Sequence, residues 1–583
     1  MRSSGHFALA ERKQSAFQPL RGGAVPRLPT ARTFFVLAFC CLCLVFAVYG
    51  RSLNFQFILD DHNFTADPRI QNSGHIWEYF ANYVWAQFTG GPPTFYRPVF
   101  LLWMRINFEL SALSPWGWHL LSIAKHVLVS ALLGVLVWKL LRDRLTALAA
   151  AMLFTLHPAQ TESVSWVTVP DPLMTAGLLG ALLLYLKYVD CMAARPVAEP
   201  RKSRKLRTSS VSKTSPLWLI GSAAMYLAAL LSKETAIIFP AVIVGIALCT
   251  PSVQSAKKRH ATFFADFRPR LTQALRHVTP FLCATVLYFL LRFSAFGGKF
   301  GSTTQHLPWR AVVLSWPAIL WFYMKVMLWP VKSYSYADPI LVERFSVRGV
   351  LYPSLAFACF ATVLTALSFW VWQKSQRVLP PQQALGVKVA IIIGALVLVL
   401  PLLPALDLNA LNPGDFLHGR YTYLPMAGLV LLIATWSRSF ENFRVVWLCI
   451  AILLTTAFAT LTFSQETQWK DDSAVFTTAH QLAPHNAPVM RNLANTHVHE
   501  ALKLEDEGRC SEAIPVFDRV IQDYPEDWFA WGGLGVCYVQ LNNLPKAEEA
   551  LHRAADLSHN SRVIEQWHEL RAHMGLPSSA SVN

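Results

Sequence analysis

Charged side chains are scarce in this sequence. Asp, Glu, Lys and Arg make up 15% of 583 residues against 54% hydrophobic, with 20 Trp and 37 Phe. An ordinary soluble enzyme, with about a quarter of its residues charged, is excluded. Metal and disulfide signatures are missing too. The ten cysteines are scattered, several inside apolar runs (Cys40, Cys41, Cys43, Cys283, Cys359, Cys449), with no CxxC and no paired spacing. Neither a disulfide framework nor a zinc site is indicated. The first apolar run follows a long basic leader and lacks a convincing small-residue cleavage site, so it reads as a membrane anchor rather than a cleaved signal peptide.

What is abundant is apolar sequence. Runs near the length needed to cross about 30 Å of hydrocarbon recur from residue 33 to 463, as in TFFVLAFCCLCLVFAVYG and AIIIGALVLVLPLL. The net charge of +16 divides unevenly: residues 464–583 hold 9 Lys and Arg against 17 Asp and Glu, leaving 42 against 18 elsewhere. The basic excess lies in short loops between apolar runs, the pattern of cytoplasmic loops and not of a nucleic-acid footprint. These loops are the N-terminal tail and residues 142–144, 195–213, 257–270, 374–377 and 438–444. With all of them inside, spans fall at 33–49, 118–141, 145–156, 172–188, 216–232, 235–249, 278–291, 350–372, 388–404, 421–436 and 445–463, about eleven in all, with the C-terminus outside. Two apolar stretches are left uncrossed. Residues 96–110 carry Arg105 and Glu109 and suit an interfacial helix. Residues 308–330 are long enough to span but contain Lys325, and a crossing there inverts the topology that follows. The expected division is a cytoplasmic basic tail (1–32), an all-α transmembrane domain (33–463) and an extracytoplasmic body (464–583).

That last body reads as a tetratricopeptide α-solenoid. Segments offset by 34 residues pair Gly508 with Asn542, Ala513 with Ala547 and Phe517 with Leu551. Trp531, Leu534, Gly535, Tyr538, Ala547, Leu551 and Ala554 match the W-x₂-L-G-x₂-Y…A-x₃-F-x₂-A pattern of a helix hairpin. Phe476, Ala479 and Pro484 suit the second helix of an earlier partial repeat. So short an array is expected to pack against the membrane domain or another chain, and its concave face to bind a protein partner or serve as a structural cap.

The loops opposite the basic ones collect carboxylates (Asp60, Asp61, Glu162, Asp171, Glu234, Asp415), cations (Arg97, Lys233, Arg292, Arg420) and histidines (His62, His157, His418). Ionisable groups near lipid are costly, about 2.5–3.5 kcal/mol at a helix centre on the mildest scale. Carboxylates beside cations suit a general base for a hydroxyl nucleophile, with cations stabilising a departing phosphate. Simpler roles exist: Lys233 and Glu234 as a polar break between spans, Asp171 as a helix cap, Arg97 as an interfacial anchor, and His119 with His126 as packing residues on one span. Asp60 and Asp61 resist such readings, since neither a cap nor a turn needs both.

The ordered strings FILDD, YRPVFLLWMRINFEL, LHPAQTESVSWVTVPDPLMT, LLSKETAI and HGRYTYLPMAGL, followed by the repeats, resemble the transmembrane and tetratricopeptide-repeat-containing family of protein O-mannosyltransferases and its bacterial relatives, from about residue 33 to 560. The resemblance implies a GT-C-like membrane glycosyltransferase. Such an enzyme moves mannose or a similar hexose from a polyprenyl-phosphate donor to a protein Ser or Thr hydroxyl, or another envelope acceptor, on the non-cytoplasmic face. The family's paired acidic motif falls on Asp60 and Asp61. Its Arg-Tyr-Leu-Tyr-Leu-Pro motif falls on Arg420–Pro425, with Thr422 in place of Leu, and its His-Pro and Thr-Glu motif on His157, Pro158, Thr161 and Glu162. Where Arg-Ala-Asp often follows, this chain departs from the family pattern and reads Val169-Pro170-Asp171. Asp60 and Asp61 are then the expected catalytic pair, each raising the other's pKa. Arg420, Lys233, His157, Arg97 and Arg292 are expected at the donor phosphate, with Glu162, Asp171, Glu234 and Tyr421 in support. No cofactor is implied, but Mg²⁺ or Mn²⁺ with the donor phosphate stays open. No sorting signal is evident, which favours a bacterial inner membrane, or the endoplasmic reticulum in a eukaryote. The alternatives are a non-catalytic membrane-anchored tetratricopeptide scaffold or assembly protein and a lipid-linked-sugar transporter. The first leaves the outer acid/base set unexplained, and the second predicts mid-membrane charges and inverted repeats that are not evident.

Overall fold

The computed structural model describes residues 31–87, 94–193, 215–250, 263–299, 306–332, 336–337, 340–411 and 417–576. Asp415, nearly all of the basic tail, and basic residues 195–213 and 257–262 lie outside them. Every regular element among the described residues is helical. In chain order these are α1 (Ala31–Tyr49), α2 (Asp60–Thr65), α3 (Pro68–Gln71), α4 (Glu78–Ala81), α5 (Pro98–Ser111), α6 (Pro115–Leu141), α7 (Arg144–Leu156), α8 (Thr161–Ser165), α9 (Asp171–Ala193), α10 (Ser215–Leu230), α11 (Phe239–Cys249) and α12 (Phe263–Ala295). The second half adds α13 (Trp309–Leu328), α14 (Tyr352–Val378), α15 (Pro381–Val399), α16 (Tyr423–Ser437) and α17 (Arg444–Glu466), then α18 (Asp472–Leu482), α19 (Ala487–Asp506), α20 (Cys510–Asp523), α21 (Trp528–Gln540), α22 (Leu544–Ser558) and α23 (Ser561–His573).

Eight of the described helices are long and apolar enough to cross a membrane, and α7, α10 and α11 are shorter apolar helices. Their apolar surface is divided by position. Most of α6 is buried among other helices, whereas α14 and α17 turn nearly all of theirs outward, exposing Leu355, Val363, Val445 and Leu453. An outward apolar belt of this kind needs hydrocarbon as its solvent.

Ion pairs and polar contacts tie the helices into two ends. At one end Lys139 of α6 pairs with Asp190 of α9, and Lys374 of α14 bonds the Ser439 carbonyl. There too Asp143 caps α7 by accepting from Thr146 N at 3.0 Å while it holds Arg438 of the turn after α16 at 3.2 Å and Arg444, the first residue of α17, at 3.1 Å. Basic residues 142–144, 374–377 and 438–444 therefore share this end. At the other, Arg51 beyond α1 meets Glu466 of α17, Lys233 beyond α10 meets Asp171 of α9, and Arg292 of α12 reaches the Thr94 carbonyl.

These ties settle the path of α13. It has the length to cross, but Leu307 just before it bonds Asn409, its Trp316 bonds the Leu406 carbonyl, and Pro330 just after it accepts from Gln465. All three partners lie at the end of the bundle opposite the basic turns, so the helix runs along that end. The short α5 likewise begins and finishes there, with Val99 N on the Leu231 carbonyl and Arg105 on the Ile70 carbonyl. Among the described residues the chain therefore passes between the ends eleven times, through α1, α6, α7, α9, α10, α11, α12, α14, α15, α16 and α17. It leaves the bundle at the end away from the basic loops.

From there α18 to α23 stack as helix hairpins. Gly508 (φ 75°) and Asn542 (φ 57°), 34 residues apart, both end a helix in the left-handed region, where Gly and Asn are the residues tolerated at least cost. Gly535 lets α21 sit against α22: a Cβ there would lie 2.6 Å from Leu551 Cγ. Phe517, Leu534, Ala547 and Leu551 are buried between the layers, each large side chain contributing about 1.5–3 kcal/mol. One expectation is corrected. Cys510 and Cys537, with no motif between them, form a disulfide joining α20 and α21, Cα atoms 5.0 Å apart. The pairing is a product of hairpin stacking, which cysteine spacing does not encode.

Candidate active site

Between the non-basic end of the bundle and the first hairpin of the C-terminal body lies a cavity of about 990 Å³. Among its lining residues are Asp60, His62, Trp85, Trp166, His418, Arg420 and Tyr421 from the bundle, and Asp472, Phe476, Asn492, Asn495 and His499 from α18 and α19.

The two adjacent carboxylates part company at this cavity. They occupy the first turn of α2, where successive side chains point about 100° apart. Asp60 lines the cavity. Asp61 is wholly buried and accepts from Ile58 N at 3.1 Å, Thr168 Oγ1 at 2.6 Å and Thr168 N at 3.3 Å. Burial pushes its carboxyl up to about 7 against these hydrogen bonds, with the Asp60 charge a lesser contribution. Mutual repulsion is thus not the main cause, and Asp61 holds the loop where Asp60 faces the cavity. Just before them Leu59 adopts φ 53°, ψ −125°, a conformation costly for a branched side chain. It is held by Asp472 Oδ1, which accepts from Leu59 N at 2.8 Å, while Asp472 Oδ2 bonds His62 Nε2 at 2.8 Å. The Asp472 hydrogen bond raises the His62 pKa. Asp472 was not singled out in the sequence; the signal was a second acidic pair, Asp471-Asp472, directly after the last span.

On the same cavity lining, Arg420 is fixed by Glu162, whose carboxylate accepts from Arg420 N at 2.8 Å and Nη1 at 3.1 Å. His418 Nδ1 lies 3.5 Å from the same carboxylate, and the guanidinium stacks 4.7 Å over Trp166. Glu162 is buried, whereas the Arg420 side chain keeps 17% exposure. A rigid cation therefore faces the cavity.

The other expected phosphate ligands sit deeper. Lys233 is buried, both Asp171 oxygens accepting from it at 2.7 Å, and lies 5.0 Å over the Tyr421 ring. Arg97 makes a forked pair with Glu234 at 2.9 and 2.6 Å, which holds the Glu234 carboxyl at about 2 despite burial. Arg292 bonds Tyr288 Oη and the Thr94 carbonyl, both at 3.4 Å. None of Lys233, Arg97 and Arg292 is on the cavity lining; they brace Tyr421 and the Phe95 loop from behind. His157 is a clearer correction. It is buried, its Nδ1 accepts from Ala159 N, it hydrogen-bonds the Met327 backbone, and burial lowers its pKa to about 3. It lies off the cavity lining, held by the protein's own backbone. His126 bonds Tyr423 Oη and the Thr155 carbonyl, as a packing residue should. Among the described residues no cluster of three or more His, Cys, Asp or Glu is gathered for a metal ion.

The Lys233–Asp171 pair makes a stability prediction. Asp171→Asn leaves an ammonium buried without its counter-charge and is expected to destabilise the folded protein by about 3–5 kcal/mol, whereas the paired replacement Lys233→Met with Asp171→Leu costs much less. Thermal unfolding of the detergent-solubilised variants measures this, and equal midpoints for both would refute it.

A tetratricopeptide repeat family model matches residues 504–573. Over 88% of its length the chain is 22% identical to the human protein O-mannosyl-transferase TMTC3 and 26% identical to human TMTC1, covering 54% and 59% of those proteins. It is 32% identical to the Drosophila melanogaster protein O-mannosyl-transferase Tmtc2 over 36% of this chain and 21% of that one. The chain is similar to these proteins and spans little more than half the length of human TMTC3 and TMTC1. Among solved structures, the archaeal oligosaccharyltransferase AglB from Archaeoglobus fulgidus aligns over 79% of this chain and 59% of its own, at 12% identity and a TM-score of 0.37.

Proposed function

We propose that this protein is a membrane glycosyltransferase with a GT-C-like membrane domain that moves mannose, or a similar hexose, from a polyprenyl-phosphate carrier to a Ser or Thr hydroxyl of a protein. The observation that carries the reading is one cavity, at the non-basic end of an apolar helix bundle, with the Asp60 carboxylate on its wall together with an anchored Arg420 guanidinium. The homologues' names support the sugar and the acceptor.

In this mechanism the carrier's chain stays in hydrocarbon with its phosphate at the cavity. Asp60 takes the proton of the acceptor hydroxyl, whose oxygen bonds the anomeric carbon. The bond from that carbon to the phosphate oxygen breaks with its electron pair on the phosphate, where Arg420 offsets the growing charge. A single displacement inverts the anomeric configuration. Asp61 positions Asp60, Glu162 and Trp166 hold Arg420, and Lys233 and Arg97, neutralised by Asp171 and Glu234, stiffen the wall behind Tyr421.

The cavity end is assigned to the non-cytoplasmic face. The basic turns gather at the opposite end, as cytoplasmic loops do, and the Cys510–Cys537 disulfide beyond the last crossing suits an oxidising compartment.

The test is label transfer from polyprenyl-phosphate mannose to Ser- and Thr-containing peptides by the full chain in lipid nanodiscs. Labelled peptide with the opposite anomeric configuration is expected. A folded, inserted protein that consumes no polyprenyl-phosphate sugar would sink the reading. The same transfer run with EDTA tests for a divalent cation: an unchanged rate would leave the donor phosphate to Arg420 alone. Loss of activity restored by Mg²⁺ or Mn²⁺ would instead place a cation on the donor phosphate.

A further inference from the structure

One wall of the cavity is a single face of α19. Asn492, Asn495, Thr496 and His499 all line it and fall at i, i+3, i+4 and i+7, one stripe of a helix. The opposite stripe of the same helix, Ala494, Val498 and Ala501, is buried in the core shared with α20 and α21. Packing thus fixes which side chains α19 turns to the cavity. Two of the four are satisfied along the helix: Thr496 Oγ1 donates to the Asn492 carbonyl at 2.9 Å and His499 Nδ1 bonds the Asn495 carbonyl at 2.7 Å. The carboxamides of Asn492 and Asn495 have no hydrogen-bond partner among the described residues. Most of α19 precedes the matched repeat, residues 504–573.

We propose that Asn492 and Asn495 bind the backbone of an extended acceptor peptide and hold its hydroxyl residue over Asp60. The inference rests on the glycosyl-transfer reading and adds the acceptor site to it. A carboxamide offers one donor and one acceptor in a plane, the complement of a peptide group. Three residues along a helix advance about 4.5 Å, and an extended chain rises about 3.3 Å per residue, so the two amides meet peptide groups one or two residues apart. From Asn492 to His499 the stripe runs about 10.5 Å, longer than one hexose. The donor's lipid stays in the bilayer, so the donor enters along the bundle wall and the wall built by the C-terminal body is left to the acceptor. Recognition through backbone amides leaves the acceptor's flanking side chains largely unread, apart from those that pack on Phe476 and Tyr336, whose rings lie 6.1 Å apart beside the stripe.

The experiment is steady-state transfer by the full chain in nanodiscs, with peptide and donor varied separately. Losing two backbone hydrogen bonds should raise the acceptor KM about tenfold or more in the Asn492→Ala/Asn495→Ala variant, with the donor KM unchanged. A peptide N-methylated on either side of its Ser should show the same raised KM with the unsubstituted protein and no further rise with the variant. An unchanged acceptor KM overturns the proposal, and so does a raised donor KM with peptide KM intact, which would give the stripe to the sugar. Transfer to a free glycan in place of peptide, weakened by the same variant, also overturns it. If the unsubstituted protein transfers sugar to no acceptor, it is the glycosyl-transfer reading that fails, and the inference falls with it.

Discussion

Asp60→Asn is expected to lower sugar transfer by about a thousandfold while the protein still folds and inserts, because general-base catalysis is worth roughly 10²–10⁴ and the amide cannot take the proton. Asn matches Asp in size, and the side chain lies on the cavity wall, so the loss should fall on the rate and not on stability. The neighbouring change behaves differently. Asp61→Asn puts an NH₂ group against one of two backbone donors, Ile58 N or Thr168 N, both of which now point at carboxylate oxygens. A buried donor facing a donor costs about 1–3 kcal/mol, so Asp61→Asn should lower the unfolding midpoint and reduce transfer through misplacement of the loop. Transfer rates and thermal midpoints of both variants, measured in the same nanodiscs, separate the two roles. A fully active Asp60→Asn would remove the base assignment. Should Asp61→Asn be normally stable and inactive, the base would be Asp61.

Much of this arrangement was legible in the residues. Loop charge and apolar length place eleven passes, because both signals are local and repeat along the chain, whereas 96–110 and 308–330 are left uncrossed on internal charges (Arg105, Glu109, Lys325) and, for the second, aromatic content. The repeat offset that pairs Gly508 with Asn542 is equally local, and both residues adopt the left-handed conformation their types permit. Partnership was not legible. Glu162 finds Arg420 across 258 positions, and Leu59 finds Asp472 across 413, so a run of outer cations read as phosphate ligands turned out to be mostly ion-paired. Which of two adjacent aspartates faces the cavity depends on the phase of a six-residue helix, and that phase is set by Thr168 and Asp472 far away in the chain. The acceptor wall escaped notice because Asn and Thr on a helix carry no motif; only the apolar stripe behind them fixes their direction.

Arg420→Ala should reduce transfer by about 10²–10³-fold, the usual consequence of removing one group that stabilises charge in the transition state. The difficulty is that Glu162 depends on the same side chain. Glu162 is buried, and in the variant its carboxylate keeps the residue-420 backbone N–H and the neighbouring His418 but loses the guanidinium, at a cost of up to roughly 3–5 kcal/mol if the charge is left uncompensated. Activity alone would then confuse lost catalysis with lost structure. Pairing the change with Glu162→Gln removes the stranded charge, so the Arg420→Ala/Glu162→Gln variant is expected to recover most of the unfolding midpoint and none of the transfer rate. Arg420→Lys adds the complementary case: a cation survives, but the fork that bonds Glu162 and the plane that stacks on Trp166 do not, so activity should lie between the two because a mobile ammonium meets the phosphate less often. Recovery of transfer together with stability in the double variant would show that Arg420 acts only as a structural partner of Glu162, and the phosphate would have to be met by another group. Continued loss with restored stability would leave Arg420 as the cation at the breaking bond.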